Sequence, residues 1–246
     1  MLVTGAARGI GAGIAEAVVE EGGAVALLDI DPAGSDTAAR LSDRGSAQFF
    51  ACDVRSLEQV ERAVAQAERA LGGLDGLVNN AGINAYFDAV AMTEADWDSV
   101  FAVDLKGAWM LVKAALPGLI ARRGAVVNIS SIQARLTLQG FFPYAAAKAG
   151  LEGLTRALAL DYARAGVRVN AVAPGYTDTR LVQEWLDLQE DSAAVLSSVL
   201  ATIPLGRLAD PRDIGDAVVF LLSDKASAIT GATLAVDCGI GARFAT

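Results

Sequence analysis

Short apolar runs alternate along this chain with longer segments of helical periodicity, and this alternation most restricts the possible fold. Seven runs are strand candidates: residues 2–4, 24–29, 47–52, 74–79, 125–130, 167–173 and 233–236. Several of them are apolar throughout, as expected for strands that helices cover on both faces. The pattern predicts an α/β fold, a doubly wound sheet of seven parallel strands with helices on both of its faces.

Helical periodicity fills the intervals between these runs. The predicted helices span residues 10–21, 36–44, 57–71, 94–121, 144–165 and 211–223. The interval 94–121 is long for one globular helix, and we expect Gly107 and Pro117 to bend or break it. We expect one domain over residues 1–246.

Residues 176–205 follow a predicted strand but carry no clear strand signal of their own. In an open α/β sheet such a segment lies beyond the carboxyl edge of the strands, where ligands bind. The segment is therefore predicted to be a flap that covers the substrate.

Composition excludes several classes of function. The chain has no histidine, so neither a Ser-His-Asp mechanism nor a histidine-containing zinc site is possible. A net charge of −9 argues against a nucleic-acid partner. Cys52 and Cys238 lack the spacing of a metal site. No run reaches the 18 apolar residues that a membrane-spanning helix needs. We expect a cytoplasmic protein with no metal and no membrane partner.

A glycine-rich segment connects the first predicted strand to the first predicted helix, with the sequence Thr4-Gly5-Ala6-Ala7-Arg8-Gly9-Ile10-Gly11. Gly5 suits the turn off the strand, while Gly9 and Gly11 let a pyrophosphate approach the helix N-terminus, where free N–H groups favour an anion. The alternative is a tight turn that binds nothing.

Asp29 indicates which dinucleotide would bind. It lies 18 residues after Gly11, close to the spacing of about 20 residues expected for an acid that binds the adenosine ribose. Because a carboxylate accepts from ribose hydroxyls and repels a 2′-phosphate, we expect NAD rather than NADP. Arg8 is a counter-indication, since a guanidinium in this turn is able to bind a phosphate. The alternative for Asp29 is a solvated strand end.

Tyr144 and Lys148 carry the clearest chemical signal. They follow Pro143, and proline favours the first turn of a helix, so the spacing places both side chains on one helical face. A lysine ammonium near a phenol lowers its pKa toward neutrality, where an acid–base catalyst works best. Ser131 lies thirteen residues earlier, at the end of a predicted strand, where its hydroxyl would hold a substrate oxygen. The alternative is a core tyrosine beside a solvated lysine.

In their order, these segments resemble the short-chain dehydrogenase/reductase family over nearly the whole chain. The matching segments are Thr4 to Gly11, Asp29, Asp53-Val54, Asn79 to Gly82, Asn128 to Ser131, Tyr144 with Lys148, Pro174-Gly175 followed by Thr179, Thr230-Gly231 and Val236-Asp237. The resemblance implies a Rossmann-type fold and an oxidoreductase that transfers a hydride between a nicotinamide dinucleotide and a secondary alcohol or carbonyl compound.

The resemblance also implies roles for individual residues. Tyr144 would donate or accept the proton, Ser131 would orient the reacting oxygen, and Lys148 would bind the nicotinamide ribose and acidify Tyr144. The residues expected around the cofactor are Gly5, Arg8, Gly9, Ile10, Gly11, Asp29, Asp53, Val54, Asn80, Ala81, Gly82, Tyr144, Lys148, Pro174, Gly175, Thr177 and Thr179. Members of similar length are commonly homotetramers, which implies packing through helices 94–121 and 144–165.

The chain departs from the family pattern at two positions. Asp104 stands where the family has a catalytic asparagine, and we count it among the expected catalytic residues. A carboxylate keeps the acceptors of the amide but loses its donors, unless the replacement is simply tolerated. Cys238 replaces a glycine of the family pattern.

Polar and aromatic residues near strand ends and in the flap are the candidates for the substrate pocket. They are Asn84, Tyr86, Gln133, Arg135, Phe141, Tyr176 and Trp185. We expect Ser131, Gln133, Tyr144 and Tyr176 to contact the substrate. A hydrogen-bonding group between aromatic walls suits a sugar or another polyol, although Gln133 and Arg135 are equally well explained as surface loop residues.

Two other functions are open at this point. The chain would be an NADPH-dependent reductase of 3-oxoacyl or other carbonyl compounds if Asp29 did not select the ribose. It would be a regulatory protein that binds a dinucleotide without catalysis if Asp104 had removed the chemistry. The presence of Ser131, Tyr144 and Lys148 together speaks against the second of these.

Overall fold

The computed structural model describes residues 1–243, in which seven parallel strands form one sheet. The strands are β1 (Leu2–Thr4), β2 (Val25–Asp29), β3 (Ala47–Ala51), β4 (Gly76–Asn79), β5 (Ala125–Ile129), β6 (Arg168–Pro174) and β7 (Thr233–Val236). Their order across the sheet is β3-β2-β1-β4-β5-β6-β7. The predicted fold class, a doubly wound α/β sheet, is confirmed.

Helices connect the strands and cover both faces of the sheet. They are α1 (Gly9–Glu20), α2 (Gly34–Ser42), α3 (Leu57–Leu71), α4 (Glu94–Phe101), α5 (Ala108–Arg122), α6 (Tyr144–Tyr162), α7 (Arg180–Asp187), α8 (Ser192–Thr202) and α9 (Pro211–Leu222). Of these helices in residues 1–243, α3 has the predicted bounds, and α1, α2, α6 and α9 differ from prediction by no more than three residues at either end.

The predicted helix over 94–121 is divided into three parts. Helix α4 leads into a π-helical turn over Ala102–Gly107, and α5 follows it. Gly107 is the last residue of this turn, so the break expected there occurs. Pro117 lies inside α5, so of the expected bend or break at this residue, a break does not occur. The π-helical turn changes the direction of the side chains within it, and it contains Asp104.

Alternating residues of the strands supply two apolar layers, one on each face of the sheet. Val3 packs with Ile14 of α1 and Ile214 of α9 on one face. Its neighbour Leu2 packs with Leu111 of α5 on the other face. Both layers bury side chains of the same strands, which explains why the strands are apolar throughout.

The topology determines where a ligand would bind. The chain winds outward from β1 in one direction and continues at β4 in the other, so the connections after β1 and β4 diverge at the carboxyl edge and leave a crevice. Residues 176–205, the segment predicted to be a flap over the substrate, contain α7 and α8. Within residues 1–243, no helix has the length and hydropathy needed to span a membrane.

Candidate active site

Thr4 and Asn80 join the two connections that border the crevice. The Thr4 hydroxyl accepts hydrogen bonds from the backbone N–H groups of Asn80 and Ala81, each at 3.0 Å. The Asn80 side chain donates to the backbone oxygens of Thr4 at 2.9 Å and Gly5 at 3.0 Å. Asn80 and Ala81, both predicted near the cofactor, therefore fix the position of the glycine turn.

The glycine turn packs too closely to accept a side chain at Gly5 or Gly11. A Cβ atom at Gly11 would lie 2.1 Å from the backbone oxygen of Gly5, and one at Gly5 would lie 2.9 Å from the Cα of Ala81. Helix α1 begins at Gly9 with no capping side chain and no acid in its first turn, so its first N–H groups stay available to an anion. Ile10 packs its side chain against the core. The turn fits the pyrophosphate of a dinucleotide.

Asp29 ends β2 beside this turn. Its carboxylate accepts from the N–H of Ala7 at 2.8 Å and from the N–H of Asp31 at 2.9 Å. Arg8, expected as a phosphate ligand if NADP binds, forms an ion pair with Asp31. The region expected to receive the adenosine ribose thus has two carboxylates, Asp29 and Asp31, and one guanidinium, which is paired with Asp31.

The remaining residues expected near the cofactor lie along the same edge. The Asp53 carboxylate pairs with Arg55, which lowers the pKa of Asp53, and Val54 is buried. Pro174 ends β6, and Gly175 follows it so close to Asp237 that a Cβ atom would lie 2.9 Å from the Asp237 Cα.

Thr177 and Thr179 begin the flap. Thr177 is buried, and its hydroxyl donates to the backbone oxygen of Gly175 at 3.4 Å. Thr179 precedes α7 and lies beside the glycine turn, since a Cβ atom at Gly9 would be 3.5 Å from the Thr179 Cγ2. The first turn of the flap therefore adjoins the expected pyrophosphate site.

Ser131, Tyr144 and Lys148 come together at the carboxyl end of β5. Tyr144 starts α6, and the Lys148 Nζ atom lies 5.4 Å from the centre of its ring, on the same side of the helix. Lys148 is buried and donates to the backbone oxygen of Ile129 at 3.2 Å. Ser131 and Tyr144 both line the same cavity, in which a hydroxyl of a substrate would meet them.

The pKa of Tyr144 is raised in the ligand-free protein. Burial of the phenol raises it most, and the Asp104 carboxylate raises it further, while the Lys148 ammonium and a hydrogen bond to Ser131 lower it. The net direction is opposite to the one expected from the lysine alone. The sequence places Asp104 at the position of a catalytic asparagine, but it did not predict that this carboxylate would lie beside Lys148.

The Asp104 carboxylate is the second charge beside Lys148. Its Oδ2 atom lies 3.3 Å from the Lys148 Nζ, and both side chains are buried. Asp104 does not line the cavity, so this residue, expected among the catalytic ones, acts on the site through Lys148. The π-helical turn brings it there.

The cavity beside Ser131 and Tyr144 has a volume of about 100 Å³. Its other lining residues are Asn84, Tyr86, Ile132, Gln133, Phe141, Gly175, Tyr176, Val182 and Trp185. Six of the seven predicted pocket residues are among them. Arg135 is not, because its guanidinium pairs with Glu152 of α6 at 2.9 Å. Ile132 and Val182 were missed; Val182 is three residues before Trp185, a spacing that places both on one face of α7.

Aromatic rings form much of the cavity wall. Tyr86 and Phe141 meet edge to face at 5.3 Å, and Tyr176 lies 6.0 Å from Trp185. The Gln133 carboxamide is buried and accepts from the N–H of Leu138 at 3.2 Å. Burial raises the pKa of Tyr176, and burial with the neighbouring tyrosines raises the pKa of Tyr86 to about 12, so both phenols are neutral at neutral pH.

A buried chain of polar side chains holds α6 against the sheet, and sequence reasoning did not find it. Asn79 of β4 donates to the Asn128 side chain at 2.8 Å, and Asn128 of β5 donates to the Thr155 hydroxyl at 2.8 Å. Thr155 lies on α6, seven residues after Lys148, so this chain fixes the helix that carries the tyrosine and the lysine. Buried polar residues in otherwise apolar strands were the available signal.

Known proteins match this chain over most of its length. A profile of the family described as enoyl-(acyl carrier protein) reductase matches residues 5–241. The chain is 42% identical to 2-(S)-hydroxypropyl-CoM dehydrogenase 3 of Xanthobacter autotrophicus, over 98% of this chain and 95% of that protein.

Two solved structures are similar in fold. Ligand-free aldohexose dehydrogenase of Thermoplasma acidophilum has a TM-score of 0.91 and 35% identity, covering 100% of this chain and 94% of its own. An actinorhodin polyketide ketoreductase with NADPH has a TM-score of 0.93 and 32% identity, covering 98% of this chain and 97% of its own. The chain therefore belongs to the short-chain dehydrogenase/reductase family, whose members are oxidoreductases that act on alcohol and carbonyl groups with a nicotinamide dinucleotide.

Proposed function

We propose that the protein is an NAD-dependent dehydrogenase that oxidises a secondary alcohol, with sugars and polyols as the substrate class. The position of Ser131 and Tyr144 together in the wall of the cavity carries this proposal. In the reaction, the Ser131 hydroxyl holds the substrate oxygen, Tyr144 takes its proton, and the Lys148 ammonium stabilises the phenolate. The bound dinucleotide supplies the acceptor for the hydride that leaves the carbinol carbon.

Asp29 supports the choice of NAD. Its carboxylate lies at the end of β2 beside the glycine turn, and Asp31 adds a second negative charge. A 2′-phosphate placed there would meet two carboxylates, whereas ribose hydroxyls would donate to them. We propose a cytoplasmic location because Cys52 and Cys238 have neither metal-type nor disulfide-type spacing.

The chemistry of the cavity supports a neutral, hydroxylated substrate. The described lining residues contain no lysine, arginine, aspartate or glutamate, so a carboxylate or phosphate on the substrate would have no counter-ion there. Asn84 and Gln133 supply carboxamides, and the aromatic rings supply flat walls for a ring-shaped molecule. Aldohexose dehydrogenase, a structural relative, is named for such a substrate.

The proposal is tested by following reduction of NAD and NADP with a panel of sugars, polyols and simple secondary alcohols. We expect turnover with NAD and a neutral hydroxylated substrate, and a fall in kcat of about a hundredfold or more in Tyr144→Phe. Tyr162→Phe is the matched control, because Tyr162 lies on the same helix but packs against the core. Full turnover in Tyr144→Phe would remove the assigned base.

An NADPH-dependent carbonyl reductase is the second candidate. The half-exposed guanidinium of Arg8 favours it, because release from Asp31 would let that group bind a 2′-phosphate. The actinorhodin ketoreductase, solved with NADPH, shows that the fold accepts this cofactor in a relative. Dissociation constants decide between the two: tighter binding of NADPH than of NADH would refute the role proposed for Asp29. Binding of either cofactor without turnover across the panel would favour the non-catalytic alternative.

A further inference from the structure

Asp104 and Lys148 form a buried ion pair immediately behind Tyr144. The Asp104 and Lys148 side chains are 0% and 4% exposed, and the Oδ2 and Nζ atoms are 3.3 Å apart. The Asp104 Oδ1 atom accepts from the N–H of Ile83 at 2.9 Å, whereas Oδ2 has no hydrogen-bond partner and faces the ammonium. Gly82 permits this approach, since a Cβ atom there would lie 3.2 Å from both Oδ2 and Nζ.

The charges of these groups can be counted. With Tyr144 protonated, the carboxylate and the ammonium cancel and the buried site is neutral. Ionisation of Tyr144 would then leave one uncompensated negative charge in a site of low polarity, which is costly. If position 104 held a carboxamide, the same ionisation would take the site from one positive charge to none. The residue at position 104 therefore decides whether loss of the proton creates or removes a buried charge.

Other charged groups do not change this count. Tyr86 and Tyr176, which face Tyr144 from the loops after β4 and β6, are neutral at neutral pH. Glu152, one turn further along α6 from Lys148, is paired with Arg135 at 2.9 Å and with Arg156 at 4.0 Å.

We propose that Asp104 is a positioning residue that keeps the resting site electrically neutral and thereby holds the proton on Tyr144. At neutral pH Tyr144 then holds its proton and is able to give it to a carbonyl oxygen, whereas the alcohol oxidation proposed above needs the ionised Tyr144 and proceeds in more alkaline solution. This inference rests on the proposed function, since it uses Tyr144 as the acid–base group. The raised pKa of Tyr144, to which Asp104 contributes, agrees with it.

The first test titrates tyrosinate absorbance in the ligand-free protein. The difference between wild type and Tyr144→Phe isolates Tyr144, and we expect its midpoint at or above about 10, the ordinary value for tyrosine. A midpoint near neutrality would overturn the proposal, and this measurement does not depend on the folding of an Asp104 variant.

The second test repeats the titration in Asp104→Asn. We expect the Tyr144 midpoint to fall by about one pH unit or more, and the pH profile of alcohol oxidation to move in the same direction. Asp98→Asn is the control: it makes the same charge change on the preceding helix at an exposed side chain, and should move neither curve. Equal midpoints in wild type and Asp104→Asn would overturn the proposal.

The two proposals fail separately. If Tyr144 titrates as expected but Tyr144→Phe retains turnover, the proposed function is wrong and the role of Asp104 in holding the proton is retained. If Tyr144→Phe is inactive but Asp104→Asn moves neither the Tyr144 titration nor the pH profile of alcohol oxidation, the role proposed for Asp104 is wrong and the proposed function is retained.

Discussion

Gly11 stands at a position of the glycine turn where the structure leaves no space for a side chain. A Cβ atom at this position would lie 2.1 Å from the Gly5 backbone oxygen and 2.6 Å from the Asn80 side chain, both of which are fixed by hydrogen bonds or by the turn. The same atoms belong to the glycine turn that we expect to receive the pyrophosphate, or form hydrogen bonds to it. The absence of a side chain at Gly11 therefore lets this turn pack closely against the start of α1.

We expect Gly11→Ala to weaken dinucleotide binding by about tenfold or more, because relieving such overpacking costs about 1–3 kcal/mol. Binding is measured by the change in NADH fluorescence, alongside the thermal unfolding midpoint. Gly153→Ala is the control, since a Cβ atom there lies 3.9 Å from its nearest neighbour. Unchanged affinity in Gly11→Ala would contradict the steric argument.

For individual residues, the sequence predicted those relative positions that follow from helix geometry and strand order. Tyr144 and Lys148 share a helical face because they are four residues apart, and Ser131 reaches them because it follows a central strand. The sequence did not predict the Asp104–Lys148 pair, since it depends on how a π-helical turn directs one side chain. Arg135 was placed in the pocket for a similar reason, because its partner Glu152 comes from another element.

Helix α6 illustrates how one element carries the chemistry. It presents Tyr144 and Lys148 at its first two turns, and its middle is joined to the sheet through Thr155, Asn128 and Asn79. Three side chains in a row, all buried, fix both the depth and the rotation of the helix. The positions of the phenol and the ammonium therefore depend on contacts remote from the cavity.

We expect Thr155→Val to lower the free energy of unfolding by about 1–3 kcal/mol, because it leaves the buried Asn128 amide without its acceptor. Urea denaturation measures the change. Thr202→Val replaces an exposed threonine of α8 and should alter stability little. A loss in Thr155→Val no larger than in Thr202→Val would show that the polar chain does not stabilise α6.

Most elements could be predicted because the buried parallel strands are short continuous apolar runs, whereas the helices between them show helical periodicity. The interval 94–121 could not be divided correctly, because a π-helical turn of six residues is too short to show its own period in the sequence, and Pro117 lies inside α5 without breaking it. For residues 176–205 the sequence predicted a position beyond the carboxyl edge of the sheet, but no helices. Its two short helices, α7 and α8, became visible only in the fold.

The molecule as a whole presents a groove between its long helices. The groove has a volume of about 760 Å³ and includes Phe101, Leu105, Trp109 and Leu154, with Gly153 on its floor. Trp109 is 44% exposed there, which is unusual for a large apolar side chain. The resemblance to tetrameric family members directs attention to this face, which α4, α5 and α6 form.

We expect the protein to form a homotetramer in which a second chain covers this groove, and Gly153→Arg to reduce its mass. The space above Gly153 is open within one chain, so the arginine would obstruct the partner and leave the fold intact. Sedimentation equilibrium measures the mass, and circular dichroism checks the fold. A wild-type protein that sediments as a single chain would refute the prediction.

Thr179, the residue that starts the flap, lies against Gly9 of the turn that would receive the pyrophosphate. The expected pyrophosphate site and the start of the predicted flap are therefore in contact, so a bound dinucleotide would influence the position of the flap. We therefore expect ordered binding, in which the dinucleotide binds before the alcohol and leaves after the oxidised product. Product-inhibition patterns measure the binding order. Random binding of the dinucleotide and the alcohol would show that the contact between Gly9 and Thr179 does not couple the two sites.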